Sequence, residues 1–225
     1  NETQLRDAFA MLDSLVKENN KEKAKVQKDF LTENAKKEAE INIKGMEAEK
    51  YDYIVSACPS CTHQLHLYPT FFEEGTEMHK KAKELADKTY DFCKLFYELG
   101  GMSEEGDGKP IKVTYHDSCH LKRSLKVSKE QRELLKHTKG VEFIEMNDYD
   151  NCCGFGGSYS LLYPEISAPI LEKKIQNIKE SGADVVALDC PGCLMQIKGG
   201  LDARGINDIK VKHTAEIIAE KRGLI

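Results

Sequence analysis

The sequence predicts an α/β fold made of two related, doubly wound parallel-sheet units, of which the first is incomplete. Two observations carry this prediction. Strand and helix patterns alternate regularly through the second half of the chain, an order that favours a parallel sheet with helices on both faces. A short motif also occurs once in each half: Asn-Ile-Lys, then a strand pattern, then Cys-Pro-x-Cys. Such self-similarity indicates an internal repeat.

The second half contains four strand patterns, each followed by a helical pattern. The predicted strands are 111–116, 141–146, 183–189 and 209–213, and the predicted helices are 121–137, 164–181, 193–203 and 214–222. This βαβαβαβα order is typical of an open parallel sheet.

The first half is less regular. Its first fifty residues are strongly charged and predict two helices with a break near Asn19-Asn20. A short strand is predicted at 51–57, with helical patterns after Cys61 and over 76–99. The Gly-rich segment 100–110 is typical of a linker. We therefore predict a partial first unit over 1–105 and a complete second unit over 106–225.

Composition narrows the function classes. The chain has 225 residues, 40% hydrophobic, with a formal net charge of −5, so we expect no nucleic-acid partner. No apolar run approaches the roughly 20 residues of a membrane-spanning helix. The eight cysteines are clustered in a Lys- and Glu-rich chain without a secretory signal pattern. This usage predicts a cytoplasmic protein whose reduced thiols bind metal or do redox chemistry.

Five of the cysteines follow predicted strands of the second half. They are Cys119, Cys152, Cys153, Cys190 and Cys193. Because the carboxyl ends of parallel strands lie on one edge of a sheet, we expect these thiols to converge there. Thiolates select zinc, copper(I) or iron–sulfur clusters, and five exceed what a tetrahedral zinc needs. The adjacent pair Cys152-Cys153 suits a polynuclear cluster better than a single ion, although a structural zinc site stays open as an alternative.

Glycines and histidines flank these cysteines. Gly154, Gly156 and Gly157 are predicted to let the backbone approach a bulky inorganic core and to point N–H groups at it. His116 and His120 flank Cys119; they could bind the metal or carry protons, or could merely end a strand and cap a turn.

The remaining three cysteines lie outside this group. Cys58 and Cys61 form a second CxxC pair, for which ligation and a vestigial structural role are equally open. No cysteine precedes them, so they provide at most half of a second site. Cys93 falls on an apolar helical face and is predicted to be a small core residue.

The cysteine pattern resembles the cysteine-rich CCG domain. Three segments carry the resemblance: His-Asp-Ser-Cys-His-Leu at 116–121, Cys-Cys-Gly-Phe-Gly-Gly-Ser at 152–158 and Asp-Cys-Pro-Gly-Cys-Leu-Met-Gln at 189–196. The domain occurs in the disulfide-cleaving part of heterodisulfide reductase and in iron–sulfur subunits of glycolate oxidase and D-lactate dehydrogenase. The residues around these cysteines are most similar to those in the glycolate oxidase and D-lactate dehydrogenase group. Residues 116–216 match well, and residues 36–100 resemble the back half of a first unit.

The resemblance implies an iron–sulfur cluster, either [4Fe–4S] or a non-cubane variant. It implies an electron-transfer subunit of a flavin-linked 2-hydroxy acid dehydrogenase, since this chain itself has no flavin or nicotinamide motif. The partners would be a flavin-containing dehydrogenase subunit and a ferredoxin-like iron–sulfur subunit. Contact with a membrane would be indirect, through a quinone or a partner, at its inner face. A heterodisulfide-reductase-like subunit and a zinc-stabilised interaction module remain alternatives.

Overall fold

In this computed structural model, the structure describes residue 21, residues 33–102 and residues 108–225. The predicted break near Asn19-Asn20 and the predicted domain boundary at 105 lie outside the described residues, and both stay predictions. The described residues form two compact units. One comprises residues up to Asp52 together with Leu67–Asp87, and the other comprises Tyr53–His66 together with Lys88–Ile225.

The described residues contain the following strands and helices. The strands are β1 (Ile54–Ser56), β2 (Thr89–Asp91), β3 (Ile111–Tyr115), β4 (Val141–Phe143), β5 (Val185–Leu188) and β6 (Lys210–His213). The α-helices are α1 (33–46), α2 (Pro59–Leu67), α3 (Glu77–Lys88), α4 (Phe92–Glu98), α5 (Lys129–Lys136), α6 (Tyr159–Leu162), α7 (Pro164–Ser181), α8 (Pro191–Asp202) and α9 (Thr214–Lys221). Short 3₁₀ turns occupy Ala48–Lys50 and Tyr68–Phe71, and a π-helical turn occupies His120–Ser124.

The strands of the larger unit form two parallel sheets, which confirms the predicted α/β class. Strands β1 and β2 pair with Ile54 opposite Thr89. The other sheet has the order β4-β3-β5-β6, and every neighbouring pair in it is parallel. The chain moves from β3 outward to β4, then returns to the other side of β3 to form β5. The winding direction therefore reverses between β3 and β5.

Strand β5 is at the centre because it is apolar on both faces. Its four residues, Val-Val-Ala-Leu, are all buried. Val185 and Ala187 pack in a cluster with Ile217 of α9, whereas Val186 and Leu188 pack on the opposite side in another cluster. That second cluster contains residues of α7 and α8. Helices therefore cover both faces of the sheet, and each buried aliphatic side chain stabilises it by about 1.5–3 kcal/mol.

Two local predictions were wrong. The helical pattern predicted over 76–99 is interrupted by β2, because Thr89 and Tyr90 extend and pair with β1, and Asp91 then caps α4 by accepting a hydrogen bond from the Lys94 N–H at 3.1 Å. The helix predicted over 121–137 is divided into the π-helical turn and α5. Lys126 lies between them with a φ of +60°, which a continuous helix does not allow.

The smaller unit is helical in its described part. Ala39 and Ile43 lie one turn apart on α1 and are buried, and Asn42 on the same helix donates a hydrogen bond to the hydroxyl of Tyr68 at 2.7 Å. None of the described helices is both long enough and apolar enough to cross a membrane.

Candidate metal centre

The cysteines cluster where the winding of the four-stranded sheet reverses. Cys119 comes four residues after β3 and Cys190 two residues after β5, so these two residues flank the switch point on the carboxyl edge of the sheet. Cys152 and Cys153 lie on the segment after β4. The crevice at a switch point is where open parallel sheets bind ligands. The convergence follows from strand order, as the sequence indicated.

The sulfur atoms are close enough to shift each other's pKa. The thiols of Cys119 and Cys153 stabilise the thiolate of Cys152 and lower its pKa to about 2. Interaction with Cys193 lowers the pKa of Cys190 to about 6. The thiols that donate hydrogen bonds to these sulfurs have raised pKa values. That of Cys153 rises to about 11, mainly through Cys152, and that of Cys193 rises through Cys153 and Cys190. The five thiols therefore form one continuous series of interacting groups.

These thiols line a cavity of about 430 Å³ together with one cysteine of the first CxxC pair. The cysteines on its wall are Cys58, Cys119, Cys152, Cys153, Cys190 and Cys193. Cys58 follows β1, and its backbone N–H donates to the Ser56 hydroxyl at 3.1 Å. Cys61 is exposed; its interaction with Cys58 raises its pKa, and the charge of Cys190 adds to the effect. The first CxxC pair therefore lies beside the other thiols rather than apart from them.

The loop after Cys153 is shaped by glycines. Gly154 has a φ of +87°, and its N–H donates to the Cys152 sulfur at 3.3 Å. A Cβ there would lie 2.7 Å from the Ser167 carbonyl oxygen, so a larger residue would displace the loop. Gly156 and Gly157 also have positive φ values, and both line the cavity.

A close contact joins this loop to the Cys-Pro-Gly-Cys turn. The ring of Phe155 packs directly on Gly192, where a Cβ would lie 2.5 Å from a ring carbon. Pro191 occupies the first turn of α8, where its missing N–H costs no hydrogen bond. The glycine thus allows the two cysteine-bearing segments to approach each other.

The two histidines near Cys119 have different environments. His116 is fully buried, and burial lowers its pKa to about 3. Neither of its ring nitrogens has a hydrogen-bond partner among the described residues. One of its nitrogens and the sulfurs of Cys153 and Cys193 all lie within 4.8 Å of one another. His120 is exposed, and its Nδ1 lies 3.2 Å from the Ser60 hydroxyl.

A buried lysine supports the loop before Cys152, and the sequence pattern alone did not predict this role. Lys174 on α7 is 1% exposed, and its ammonium donates to the carbonyl oxygens of Asp148 at 2.6 Å and Tyr149 at 3.3 Å. Burial lowers its pKa to about 8. Its position four residues before the buried Ile178 places it on the apolar side of the helix, and this spacing could have revealed it.

A second buried polar group lies behind Cys190. Asp189 is fully buried and accepts hydrogen bonds from the Tyr115 hydroxyl at 2.6 Å and from the Cys93 thiol at 3.3 Å. Cys93 is itself fully buried and is a core residue, as predicted, rather than part of the cavity wall. These contacts fix the backbone immediately before Cys190.

The donor set fits a metal or metal cluster. Several thiols that face one cavity provide the soft ligands that zinc and iron–sulfur clusters take. The unpaired, buried His116 beside Cys153 and Cys193 indicates the same, because buried polar atoms normally have a partner.

Comparisons with known proteins agree with this assignment. The family model of the cysteine-rich domain, CCG, matches residues 19–66 and 113–198. Lactate utilization protein A of Bacillus subtilis strain 168 is 40% identical over 168 residues, which are 74% of this chain and 70% of that protein. The protein of the same name from Geobacillus sp. strain WCH70 is 40% identical over 171 residues, 76% of this chain and 71% of its own. That of Bacillus velezensis strain DSM 23117 is 37% identical over 171 residues, with the same coverage.

Proposed function

This chain belongs to the cysteine-rich (CCG) domain family, and from this premise we propose that it is an iron–sulfur electron-transfer subunit for the oxidation of lactate or a similar 2-hydroxy acid. The observation that carries the proposal is the cavity into which three separate segments of the four-stranded half bring five thiols. The relatives at 36–40% identity bear the name lactate utilization protein A, which supports lactate as the compound consumed upstream.

The ligands of the cluster are Cys119, Cys152, Cys153, Cys190 and Cys193. When bound, an iron–sulfur cluster supplies one-electron transfer at a potential set by its ligands, hydrogen bonds and exposure. The chain contributes the rest of the environment. The Gly154 N–H points at the Cys152 sulfur, and the buried ammonium of Lys174 adds a positive charge near the cysteine loop. Cys58 lies on the cavity wall and is proposed as a further ligand or as a barrier to solvent.

The proposed partners of this chain are the proteins that donate electrons to it and accept electrons from it. Electrons leave the 2-hydroxy acid at a flavin on a dehydrogenase subunit, reach this chain and pass to a ferredoxin-like subunit or a quinone. This route is located in the cytoplasm, with access to the inner face of the membrane through a partner. A heterodisulfide-reductase-like role is a second candidate. The cavity favours it because its wall includes the half-exposed residues Cys58 and Cys119, which a disulfide could approach.

The first experiment asks which metal binds and through which thiols. The chain is purified anaerobically, iron and acid-labile sulfide are measured, and low-temperature EPR spectra are recorded after reduction with dithionite. We expect iron and sulfide in equal amounts and a reversible paramagnetic signal. Cys190→Ser should lose most of the iron. Cys93→Ser is the matched control, since Cys93 is a buried cysteine outside the cavity wall, and it should keep the iron.

Other outcomes would contradict the proposal. Zinc without iron would exclude both redox roles and favour a zinc-stabilised module. A signal that appears only after a disulfide is added would favour the heterodisulfide-reductase-like role.

Cys61→Ser tests the exposed member of the first CxxC pair. Retention of iron in this variant would restrict the ligands to the residues on the cavity wall.

A further inference from the structure

His116 is held rigidly at the end of β3. Its backbone N–H donates to the carbonyl oxygen of Ala187 at 2.9 Å, which extends the pairing of β3 with β5 by one residue. The side chain is fully buried in the cavity wall between the two strand ends. The sheet therefore fixes the origin of this side chain at the switch point.

The ring lacks the partners that a buried imidazole requires. A neutral imidazole has one N–H donor and one nitrogen lone pair, and both ring nitrogens of His116 are unpaired among the described residues. Each unsatisfied buried group is unfavourable, because it has lost its hydrogen bonds to water and gained none in the protein. The carbonyl oxygen of Tyr149 adjoins the ring, although outside normal hydrogen-bond geometry, and it can accept only the N–H. The lone pair needs a different partner.

The other candidate partners near the ring are sulfur atoms. One ring nitrogen lies within 4.8 Å of the sulfurs of Cys153 and Cys193. A metal cation between the ring nitrogen and the two sulfurs would attract all three atoms, because an imidazole lone pair and metal-bound thiolates are all electron donors. Metal-bound histidines usually donate their other N–H to a carbonyl or carboxylate, which is the role available to Tyr149.

We propose that His116 is a ligand of the metal centre, bound through one ring nitrogen beside Cys153 and Cys193. The identification of that metal as cluster iron rests on the function proposed above, but the ligation itself does not. Replacement of an anionic thiolate by a neutral imidazole raises the reduction potential of an iron–sulfur cluster. His116→Cys replaces the imidazole with a thiolate beside the five cysteine ligands, and it should therefore bind the cluster at a lower reduction potential than the wild-type chain.

The test is X-ray absorption at the edge of whichever metal the anaerobically purified full chain contains. We expect the outer-sphere scattering of an imidazole in the wild-type protein and in His120→Ala. His120 is a suitable control because it also lines the cavity but already faces the Ser60 hydroxyl. The imidazole scattering should be lost in His116→Ala.

A second measurement does not depend on folding of the variant. Pulsed EPR of the reduced wild-type chain with ¹⁵N-labelled histidine should show a strongly coupled nitrogen, which His120→Ala retains. Iron and sulfide with a sulfur-only shell would overturn the ligation and leave the proposed function intact. A weakly coupled nitrogen, which reports a hydrogen bond only, would also overturn it. Zinc with imidazole scattering that His116→Ala removes would support the ligation and exclude the proposed function.

Discussion

Asp91 is a buried carboxyl group whose replacement should stabilise the protein. It is 2% exposed; its Oδ1 accepts the Lys94 N–H at the start of α4, and its Oδ2 has no partner among the described residues. Burial, followed by the negative charge of Asp189, raises the pKa of Asp91 from the ordinary 3.8 to about 7. The folded state therefore holds this proton more tightly than the unfolded state does.

The sign of the pH dependence follows from this difference. Between about pH 4 and pH 7 the folded chain binds more protons at Asp91 than the unfolded chain, so stability falls as the pH rises through this range. One pKa unit corresponds to about 1.4 kcal/mol, so the ionised form costs at most about 4 kcal/mol above pH 7. An asparagine keeps the oxygen that caps α4 and cannot ionise.

Asp91→Asn should therefore raise the free energy of unfolding by about 2–4 kcal/mol at pH 8 and change it little at pH 4. Urea titrations of both chains under anaerobic conditions measure the difference. Asp202→Asn is the control, because Asp202 is exposed and pairs with Lys198 on the surface at 2.7 Å. It should change stability by less than about 1 kcal/mol. An Asp91→Asn chain that is less stable at pH 8, or a difference independent of pH, would refute the reasoning.

Three further predictions concern the groups around the cysteines. Gly192→Ala should fold but lose bound iron, because the new methyl overlaps the Phe155 ring, and Phe155→Ala in the same chain should restore the iron. Tyr115→Phe should lower the free energy of unfolding by about 1–3 kcal/mol in urea titrations, because the buried Asp189 loses a hydrogen bond. Lys174→Met keeps the aliphatic stem but removes the hydrogen bonds that the ammonium donates to the carbonyl oxygens of Asp148 and Tyr149; we expect lower iron content per chain by metal analysis, and unchanged content would contradict the role of Lys174 in supporting the loop.

The location of the site could be predicted from the sequence because it depends on strand order. An apolar run such as Val185–Leu188 identifies a central strand, and a cysteine that follows within two residues must lie at the carboxyl edge of the sheet. The backbone conformation of the glycines after Cys153 could also be predicted, because glycine readily adopts positive φ angles. The structure has positive φ angles at Gly154, Gly156 and Gly157.

Features that depend on tertiary contacts were not predictable. Three residues around Tyr90 form a strand only because β1 lies beside them, and local propensity favoured helix over the whole segment. The first CxxC pair resembled half of a separate site, yet Cys58 faces the same cavity as the other thiols. The buried carboxyl of Asp189 and its partners Tyr115 and Cys93 are far apart in the sequence, and no local pattern joins them.

The series of interacting thiols has a consequence for the chain without its metal. Hydrogen bonds from Cys119 and Cys153 favour the thiolate form of Cys152 and lower its pKa, and these neighbouring sulfurs are within its reach. In air, an oxidant that takes two electrons from such a pair leaves a disulfide, which no longer binds metal. The disulfide would then prevent metal from binding again, and repair would need a cellular dithiol to reduce the disulfide before metal could return. Exposure to oxygen would in this way inactivate the site reversibly.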